Sequence, residues 1–502
     1  MNMSRRVGPL SAVVCLSVIA ALLILFLPSS PKAAIAEPTP APLAKQAKSP
    51  PGNPAARPAA PPGAALHVVQ RGQSLASLVR IYLPQTSYMT GSELEAALRQ
   101  ANGGRKGSLK PGETIIVPGV EGPLQEQPFP VPPNFEIRAI YLTGVMAGSA
   151  RGLELIQRWR AAGGNAVVFD LKDSDGMVNI PFDHLLNPGV PHPPLRNLPK
   201  FVRWLHRQGL HVIGRVAIFR DERLVSQHPG LAVQSRRSGQ PWRENGKLVW
   251  TDPSRPQVQE FNIALARRAA QQGVDEIQFD YVRFPAEGDQ ADARFYFESH
   301  PPRPGAEPAR RTDVITDFLS QAYRELHPLN VLFSLDVFGV MAWQRPVDLA
   351  RTGQDIPAMA RYCDVLSPMI YPSHFFGMDG YAAPGNAPEH FISESMERFR
   401  KITADTRVVL RPWLQAFAWR TSSYSPKYVE VQVQAANENG GIGFLFWNAR
   451  NDYSKLFAAM PEMRRDRRFF RGDELPIPTR DTQKTAAVGG KTQRVSGGSA
   501  GL

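Results

Sequence analysis

The segment Asp275-Glu-Ile-Gln-Phe-Asp-Tyr-Val-Arg-Phe-Pro285 has the composition of a buried β-strand that ends in a carboxylate, a phenol and a guanidinium. Strands of a parallel sheet are covered on both faces, so they seldom carry charged side chains unless a pocket uses them. The charges at the end of this strand therefore indicate an active site.

Apolar segments with polar or aromatic ends recur along the chain. Five more are Phe169-Asp-Leu-Lys-Asp173, Ile213-Gly-Arg-Val216, Ser334-Leu-Asp-Val-Phe-Gly339, Ser367-Pro-Met-Ile-Tyr371 and Arg411-Pro-Trp-Leu-Gln415. From Arg138 to about Phe457, apolar strands alternate with amphipathic helical stretches, which is typical of βαβ units in a parallel sheet.

Eight strand and helix pairs are predicted. The strands are expected at 138–144, 165–172, 211–218, 276–284, 331–338, 365–371, 408–416 and 441–447. The helices are expected near 151–162, 197–208, 256–272, 312–326, 354–361, 388–403, 426–438 and 452–460. This pattern predicts an α/β fold, a closed (β/α)8 TIM barrel in a domain of residues 135–470.

The loop lengths indicate which face of the barrel carries the site. Long connections follow the second, third, fourth and sixth strands, at about 174–196, 219–255, 285–311 and 372–387. Connections that enter the strands are mostly a few residues long. Because long functional loops of a barrel lie at the carboxyl ends of its strands, the site is predicted there.

Two carboxylates on neighbouring strands are the candidate catalytic residues. A nearby cation would keep Asp280 ionised and able to act as a nucleophile or base, whereas burial raises the pKa of Asp336, as a general acid requires. Adjacent strands lie about 4.8 Å apart, so the two carboxyl groups fall within the range that glycoside hydrolysis uses. The structural alternatives are an ion pair of Asp280 with Arg215 or Arg283, and a hydrogen bond of Asp336 to the backbone or Ser334.

The remaining candidates are substrate-binding residues. Strand alternation places Asp170 and Lys172 on one face, where they are expected to pair, either for substrate positioning or for structure alone. Aromatic rings near the strand ends would stack on the faces of sugar rings. The full set of predicted binding residues is Asp170, Lys172, Arg215, Tyr281, Arg283, Tyr371, Trp413, Gln415 and Trp447.

Other chemistries find little support in the sequence. The ten His residues include no H-x-H or H-E-x-x-H spacing, and His184, His192 and His374 are predicted to be solvated loop residues. No serine-hydrolase elbow, P-loop or dinucleotide motif is present. No metal site and no cofactor are therefore predicted.

Residues 1–36 predict the compartment. Arg5 and Arg6 precede an apolar run at residues 10–27, and Ala34-Ile-Ala36 offers a cleavage site. This pattern indicates an exported protein of the periplasm or cell envelope, either with the signal cleaved or tethered to the inner membrane by residues 10–27. Cys363 is the only cysteine outside the apolar run, which leaves no intramolecular disulfide in the exported part.

Composition divides the rest of the chain. Residues 37–65 are a Pro/Ala-rich linker, residues 66–119 a compact β-α-α-β unit, residues 120–134 a second Pro-rich linker, and residues 471–502 a tail expected to be disordered. The net charge of +13 favours an acidic environment. Without a nucleic-acid motif, no nucleic-acid partner is predicted.

Two parts of the chain resemble known families. The β-α-α-β order of residues 66–119 and the closing Leu109-Lys-Pro-Gly-Glu-Thr-Ile-Ile-Val-Pro118 resemble a LysM module, which implies binding of glycans that contain N-acetylglucosamine. The segments Asp275–Pro285, Ser334–Gly339, Leu366–Pro372 and Arg411–Phe417 resemble an uncharacterised bacterial family of glycoside hydrolases, distantly similar to the α-amylase clan.

The second resemblance implies a role for the fourth strand. In the α-amylase clan the Asp of that strand is the nucleophile, which corresponds to Asp280 here. The clan usually has Glu as the acid on the fifth strand, where this chain has Asp336. A clan with Glu at the ends of strands four and seven fits less well, because strand seven ends in Gln415.

Together these observations predict an exported glycoside hydrolase that acts on a cell-envelope polysaccharide, peptidoglycan or a related N-acetylglucosamine-containing glycan, through Asp280 and Asp336. One alternative is a catalytically inactive barrel that binds glycan or organises envelope partners. Another is a metal-dependent polysaccharide deacetylase, which predicts a clustered His/Asp triad.

Overall fold

A computed structural model describes residues 60–105, 107–121, 126–129, 131–187, 189, 192–300 and 309–472. The predicted signal or anchor, most of the first linker and nearly all of the tail lie outside the described residues. No helix within the described ranges is both long and apolar enough to span a membrane. The chain divides into two compact units, with the boundary at residues 123 and 124.

The smaller unit has the predicted β-α-α-β order. The strands Ala64–Val68 and Thr114–Pro118 pair antiparallel, and they enclose the helices Leu75–Tyr82 and Gly91–Ala101 with a 3-10 turn at Leu83–Gln85. Both helices begin with capping boxes, at Ser74 and Thr90. The core of this unit contains Val69, Leu78, Leu94, Leu98, Ile115 and Val117.

The larger unit is the predicted TIM barrel. Its eight strands, labelled β1 to β8, are Ile137–Leu142, Ala166–Lys172, His211–Ala217, Glu276–Asp280, Leu332–Phe338, Val365–Met369, the two-part β7 of Val409–Leu410 and Trp413–Gln415, and Gly443–Trp447. Every strand pairs parallel with the next, and β8 pairs with β1, so the sheet is closed.

Helices cover the outside of the barrel. The main ones are Ala150–Ala162, Leu198–Arg207, Pro256–Ala270, Arg311–Leu326, Ile356–Met359, Pro388–Ile402, Pro426–Glu438 and Ser454–Met463. Shorter helices lie at Gly144–Ala147, Glu222–Gln227 and Pro346–Thr352. Gly163 ends the first main helix in the left-handed conformation, with a φ of 108°.

Strand β4 is shorter than the predicted 276–284 because Tyr281 leaves the β region. Its φ is +54°, in the left-handed region that non-glycine residues seldom adopt. The amide N–H of Tyr281 donates to Oδ1 of Asp280 at 2.5 Å, which compensates part of the backbone strain. Tyr281 and Arg283 therefore belong to the loop that follows the strand.

A buried ion pair fixes the amino-end layer of the barrel interior. Nη1 of Arg411 on the β7 segment lies 2.8 Å from Oε2 of Glu276, and both side chains are fully buried. Nε2 of His211 lies 3.1 Å from the same carboxylate. Burial alone would raise the pKa of Glu276, but Arg411 and His211 lower it to about 2. This layer lies below the carboxylates of the predicted site, because Glu276 begins the strand that Asp280 ends.

Residues 126–129, within the predicted second linker, pack against the amino-end face of the barrel. Oε1 of Glu126 lies 3.1 Å from Nδ1 of His206, and Nε2 of His206 lies 3.0 Å from Oδ2 of Asp275. The amide N–H of Phe129 donates to Asp275 at 2.6 Å. The space for this contact exists because Gly273 has no side chain; a Cβ there would lie 2.7 Å from Cβ of Glu126.

Breaking the Glu126–His206 contact should destabilise the fold in a pH-dependent way. Burial alone would lower the pKa of His206, but Asp275 and Glu126 raise it from 6.5 to about 9. The imidazolium therefore contributes its full stability below pH 6.5 and loses it as the pH rises through 9. We expect Glu126→Gln to lower the free energy of unfolding by about 2 kcal/mol at pH 6, and by less above pH 9.

Thermal or urea unfolding across this pH range measures the effect. The matched control is Glu260→Gln, which removes the exposed pair of Glu260 with His184 and should change stability by less than about 0.5 kcal/mol. Equal effects of the two substitutions, or a Glu126→Gln effect that grows above pH 9, would contradict this account.

Candidate functional site

The guanidinium group of one arginine contacts the carboxyl groups at the carboxyl ends of β2, β4 and β5. Arg215 on β3 is 7% exposed. Its Nη2 and Nε donate to Oδ2 of Asp280 at 2.5 and 3.2 Å, and its Nη1 donates to Oδ1 of Asp170. Its Nε also lies 3.8 Å from Oδ2 of Asp336. Arg215 therefore pairs with Asp280, as expected, and contacts two further acids.

Asp280 is held from two sides. Oδ2 accepts from the Arg215 guanidinium and Oδ1 from the amide of Tyr281. Hydrogen bonds of this kind stabilise the charged form of a carboxyl group. The arrangement orients both oxygens of Asp280 at the end of β4.

Asp336 has a different environment. It is 1% exposed, its Oδ1 accepts from the indole Nε1 of Trp413 at 2.7 Å, and no described residue hydrogen-bonds its Oδ2. Burial first, and then the nearby Asp280 charge, raise the pKa of Asp336 well above its usual value, while Arg215 and Trp413 offset part of that rise. These surroundings therefore favour the protonated form of Asp336.

The carboxyl groups of Asp280 and Asp336 lie close to each other. Since Nε of Arg215 is 3.2 Å from Oδ2 of Asp280 and 3.8 Å from Oδ2 of Asp336, these two oxygens are no more than about 7 Å apart. Paired acids of glycoside hydrolases are roughly 5–9.5 Å apart. The separation of the Asp280 and Asp336 oxygens therefore does not exceed the range of such pairs, and the two carboxyl groups share one end of the barrel.

Asp170 on β2 is the third carboxyl group that contacts Arg215. Its Oδ1 accepts from Arg215 and its Oδ2 from the hydroxyl of Tyr141 on β1. Burial, and then the charge of Asp170, raise the pKa of Tyr141 well above its usual value, so the phenol stays protonated and donates this hydrogen bond. Asp170 therefore fixes Arg215 from the side opposite to Asp280.

The predicted pairing of Lys172 with Asp170 is wrong. The register between β2 and β3 shifts between Asp170 and Lys172, which interrupts the alternation of side chains. Lys172 consequently points toward the surrounding helices, where its Nζ lies 2.8 Å from Asp221 and 2.9 Å from Oδ1 of Asn262. It is fully buried there, away from the carboxylates.

The side chains of Tyr281 and Arg283, the two predicted residues after β4, have partners other than the acids. The guanidinium of Arg283 is sandwiched between the rings of Trp250 at 4.5 Å and Phe338 at 4.3 Å. Burial lowers its pKa. The hydroxyl of Tyr281 lies 3.2 Å from Nη1 of Arg220. Of the two cations predicted to accompany Asp280, Arg215 makes the ion pair.

The predicted aromatic residues form a cluster next to the acids. The ring of Trp447 stacks on Tyr141 at 6.3 Å and lies 5.9 Å from the ring of Tyr371. Trp413 contacts Tyr141 edge to face at 6.4 Å. Burial, and then the charges of Asp336 and Asp280, raise the pKa of Tyr371 well above its usual value. Trp447 is partly exposed, so its ring is available at the edge of the cluster.

Gln415 is used for structure. Its Oε1 accepts from the amide and hydroxyl of Ser373 at 3.3 and 2.9 Å, and its Nε2 donates to the carbonyl of Phe417 at 2.8 Å. The side chain is fully buried. The structure therefore places Gln415 behind the aromatic cluster, where it joins two loops.

His374 is the residue whose prediction fails most clearly, because it is buried rather than solvated. It is 4% exposed and packs 4.9 Å from the ring of Trp419 and 5.4 Å from that of Tyr371. Burial first, and then Arg420, lower its pKa to about 3. In the sequence, the available indication of this burial was the position of His374 three residues after Tyr371, at the start of a long loop.

The deacetylase alternative predicted a cluster of metal ligands. Among the residues that the structure describes, no three or more His, Cys, Asp or Glu side chains are grouped to hold a metal ion. The acids at the carboxyl ends of β2 to β5 are grouped around a guanidinium instead.

A closed (β/α)8 barrel with two carboxyl groups at the ends of neighbouring strands is the arrangement that carboxylate-dependent barrel hydrolases use. Residues 139–453 match the model of a family described as "putative glycosyl hydrolase domain", and the chain belongs to this family. The predicted enzyme class, a glycoside hydrolase, is confirmed at this level.

Several solved structures resemble the chain. A hypothetical protein from Ruminiclostridium thermocellum ATCC 27405 is 33% identical over 39% of this chain and 97% of that one, with a TM-score of 0.32. The PgaB (BpsB) glycoside hydrolase domain from Bordetella bronchiseptica is 17% identical over 65% and 99%, with a TM-score of 0.49. The Bacillus megaterium QM B1551 spore cortex-lytic enzyme SleL is 12% identical over 80% and 98%, with a TM-score of 0.39. No curated protein matches the chain.

Removing the guanidinium of Arg215 should leave the surrounding carboxyl groups without a compensating positive charge. We expect Arg215→Met to destabilise the protein by about 3 kcal/mol at pH 7 and by much less at pH 4, because protonation relieves the repulsion among the carboxylates that remain buried. Thermal unfolding at the two pH values measures this difference.

The control is Arg223→Met, which removes an exposed pair with Asp175 and should have little effect at either pH. A loss of stability for Arg215→Met that is the same at pH 4 and pH 7 would contradict the account.

Proposed function

We propose that the protein is an exported enzyme that hydrolyses glycosidic bonds of a cell-envelope polysaccharide, peptidoglycan or a related N-acetylglucosamine-containing glycan. Asp280 is the nucleophile and Asp336 the acid/base. The observation that carries this proposal is that the carboxyl groups of Asp280 and Asp336 face the same guanidinium but differ in their hydrogen bonds. Both oxygens of Asp280 accept hydrogen bonds, whereas only one oxygen of Asp336 does so among the described residues. The membership of a glycosyl hydrolase family supports the reaction class.

Asp280 has the geometry for attack on the anomeric carbon. Arg215 and the amide of Tyr281 hold its two oxygens, and a carboxylate fixed in this way needs little reorganisation to react. As it attacks, the bond from the anomeric carbon to the glycosidic oxygen breaks, and a covalent glycosyl ester forms on Asp280.

Asp336 supplies the proton that the departing oxygen requires. Its raised pKa keeps the proton in place before the reaction, and the indole N–H of Trp413 stabilises the carboxylate that remains after transfer. In the second step the same carboxylate takes a proton from water, which attacks the anomeric carbon and releases Asp280. Protons and bonds balance over the two steps, and no cofactor takes part.

The neighbouring side chains would bind the sugar. Trp447 and Tyr371 provide ring faces and a phenol beside the acids, and Trp413 positions Asp336. Asp170 and Arg215 orient Asp280, while Tyr281 and Arg283 line the loop after β4. Lys172 and Gln415 have no part in this proposal, because both are buried in structural contacts.

The choice of an envelope glycan is supported by the rest of the chain. The smaller unit has the β-α-α-β order of a LysM module, and its sequence resembles that family. The sequence of residues 1–36 is that of an export signal or inner-membrane anchor. A glycan-binding unit in the same chain as the barrel would keep an exported hydrolase at its polymeric substrate.

The proposal predicts that Asp280→Asn abolishes hydrolysis. We expect the release of new reducing ends from purified peptidoglycan and other envelope glycans to fall by at least about a thousandfold, since the amide cannot form the glycosyl ester. The control is Asp348→Asn, which removes the ion pair of a buried Asp with the partly exposed Arg345 outside the site and should leave turnover intact in the folded fraction.

Undiminished turnover by Asp280→Asn would remove Asp280 from the mechanism. If the wild-type protein bound these glycans but released no product from any of them, the alternative of a catalytically inactive binding barrel would be correct.

The smaller unit should govern attachment to polymer. We expect a chain that lacks residues 60–121 to lose most of its co-sedimentation with insoluble peptidoglycan, while its turnover of soluble glycan fragments stays within about twofold of the full chain. Sedimentation and reducing-end assays on the same preparations measure the two properties. Unchanged sedimentation would show that this unit is only a spacer.

A further inference from the structure

Arg220 is a cation beside the candidate site that the proposed mechanism does not use. It follows β3 and is partly exposed. Its Nη1 donates to the hydroxyl of Tyr281 at 3.2 Å and to the hydroxyl of Ser174 at 3.4 Å. Arg215 and Arg223 both pair with acids, whereas no described carboxylate forms an ion pair with Arg220. The hydrogen-bond partners of Arg220 in the described structure are therefore neutral.

The two hydroxyl groups that contact Arg220 are donors toward a ligand. A guanidinium group has no acceptor, so the oxygens of Tyr281 and Ser174 accept from Arg220 and each hydroxyl keeps its own proton. No described residue accepts either of these protons, and both side chains are partly exposed. Arg220, Tyr281 and Ser174, called here the Arg220 site, thus form a set in which donors outnumber acceptors.

Tyr281 connects the Arg220 site with the predicted nucleophile. Its amide donates to Oδ1 of Asp280, and its hydroxyl accepts from Arg220. The ring contacts Trp250 edge to face at 5.8 Å, and the guanidinium carbons of Arg220 and Arg283 lie 5.5 and 5.7 Å from its centre. The length of one tyrosine residue therefore separates the Asp280 carboxylate from the Arg220 guanidinium. A group bound there would belong to the sugar that Asp280 attacks or to its neighbour in the chain.

The ion pair of Lys172 and Asp221 keeps Arg220 next to Ser174. Asp221 directly follows Arg220, and its Oδ2 lies 2.8 Å from Nζ of the fully buried Lys172. The turn that carries Ser174 closes against the same carboxyl group, because Gly176 has a φ of +96° and a Cβ there would overlap Oδ1 of Asp221. A site that is held in this way loses little conformational entropy when it binds a ligand.

The two acids of that turn have other partners. Asp175 is exposed, and its Oδ2 lies 3.1 Å from Nε of Arg223. Asp173 accepts from Nδ2 of Asn179 at 3.1 Å, and burial raises the pKa of Asp173 well above its usual value. These surroundings favour the protonated form of Asp173. The positive charge of Arg220 is therefore available to an anion.

We propose that Arg220, together with the hydroxyl groups of Tyr281 and Ser174, binds a carboxylate of the sugar chain, so that the substrate is an anionic glycan. This inference rests on the proposed glycoside hydrolase activity and narrows its substrate class. A carboxylate offers only acceptors, which match a guanidinium and two hydroxyl donors. The net charge of +13 also favours a polyanion.

Two kinds of sugar could supply the carboxylate. N-acetylmuramic acid has a lactyl carboxyl group that is free once the peptide of peptidoglycan has been removed. A uronic acid has its carboxyl group on the ring itself. Both present the same planar anion to the Arg220 site, and the two kinds of sugar are separate arms of the experiments.

Substitution of Arg220 should change the choice of substrate. We expect Arg220→Gln to lower kcat/KM at least about tenfold for a carboxylated substrate, either peptide-free peptidoglycan strands or a polymer that contains uronic acid. For uncharged N-acetylglucosamine oligomers we expect a loss of less than about threefold. A loss of folded protein alone would lower both values equally.

The matched control is Arg223→Gln, which removes a cation three residues away. It should change neither value of kcat/KM by more than about twofold, because Arg223 makes an exposed pair with Asp175. Equal losses of kcat/KM on charged and uncharged substrates in Arg220→Gln would overturn the proposal.

Binding at Arg220 can also be tested without turnover. In the folded full chain labelled at arginine, the NMR signal of the side-chain Nε of Arg220 is assigned by its loss in Arg220→Gln. We expect N-acetylmuramic acid or glucuronic acid to shift this signal and N-acetylglucosamine to leave it unchanged. The Arg223 signal should respond to none of the three sugars. The acid that causes the shift identifies the source of the carboxylate.

An Arg220 signal that responds equally to charged and uncharged sugars, or to none of them, would overturn the proposal. Monosaccharides contain no glycosidic bond to cleave. A wild-type protein that hydrolyses nothing therefore refutes the proposed function separately from the carboxylate site.

Discussion

The guanidinium of Arg215 is the contact on which the site depends. It lies among carboxyl groups from three other strands, all of them buried at the end of a closed barrel. Like charges this close would otherwise repel each other in a medium that screens them poorly. Its contacts are unequal: short to Asp170 and Asp280, longer to Asp336. That inequality leaves Asp336 with the least compensation from the guanidinium, and the pKa of Asp336 is raised well above its usual value by burial and by the charge of Asp280.

The scaffold keeps this arrangement in place from below and from the side. The Glu276–Arg411 pair fixes the interior layer beneath the site, so that β4 and β7 cannot shift relative to each other without exposing a buried charge. The Lys172–Asp221 pair, between the barrel wall and the helices, supports the turn after β2. The Glu276–Arg411 and Lys172–Asp221 ion pairs therefore stabilise the scaffold, whereas the contacts of Arg215 organise the candidate site.

The sequence was sufficient to predict the barrel, because apolar strands and amphipathic helices alternate eight times and Asp280 and Asp336 occupy equivalent strand ends. It was insufficient where a local irregularity changes the direction of a side chain. The register shift after Asp170 turned Lys172 outward, and the left-handed Tyr281 shortened β4. Gln415 and His374 were misjudged because their burial depends on loops from distant parts of the chain. Such tertiary contacts leave no periodic pattern in the sequence.

The most direct test of the central claim is the protonation state of Asp336 in the folded protein. Carboxyl carbon NMR of the chain labelled at aspartate, with the Asp336 signal assigned by its loss in Asp336→Asn, can be followed from pH 3 to pH 9. A neutral carboxyl at pH 7 is the predicted result, because burial and the neighbouring Asp280 both oppose its ionisation. An Asp336 carboxyl that is already fully ionised at pH 5 would contradict the account.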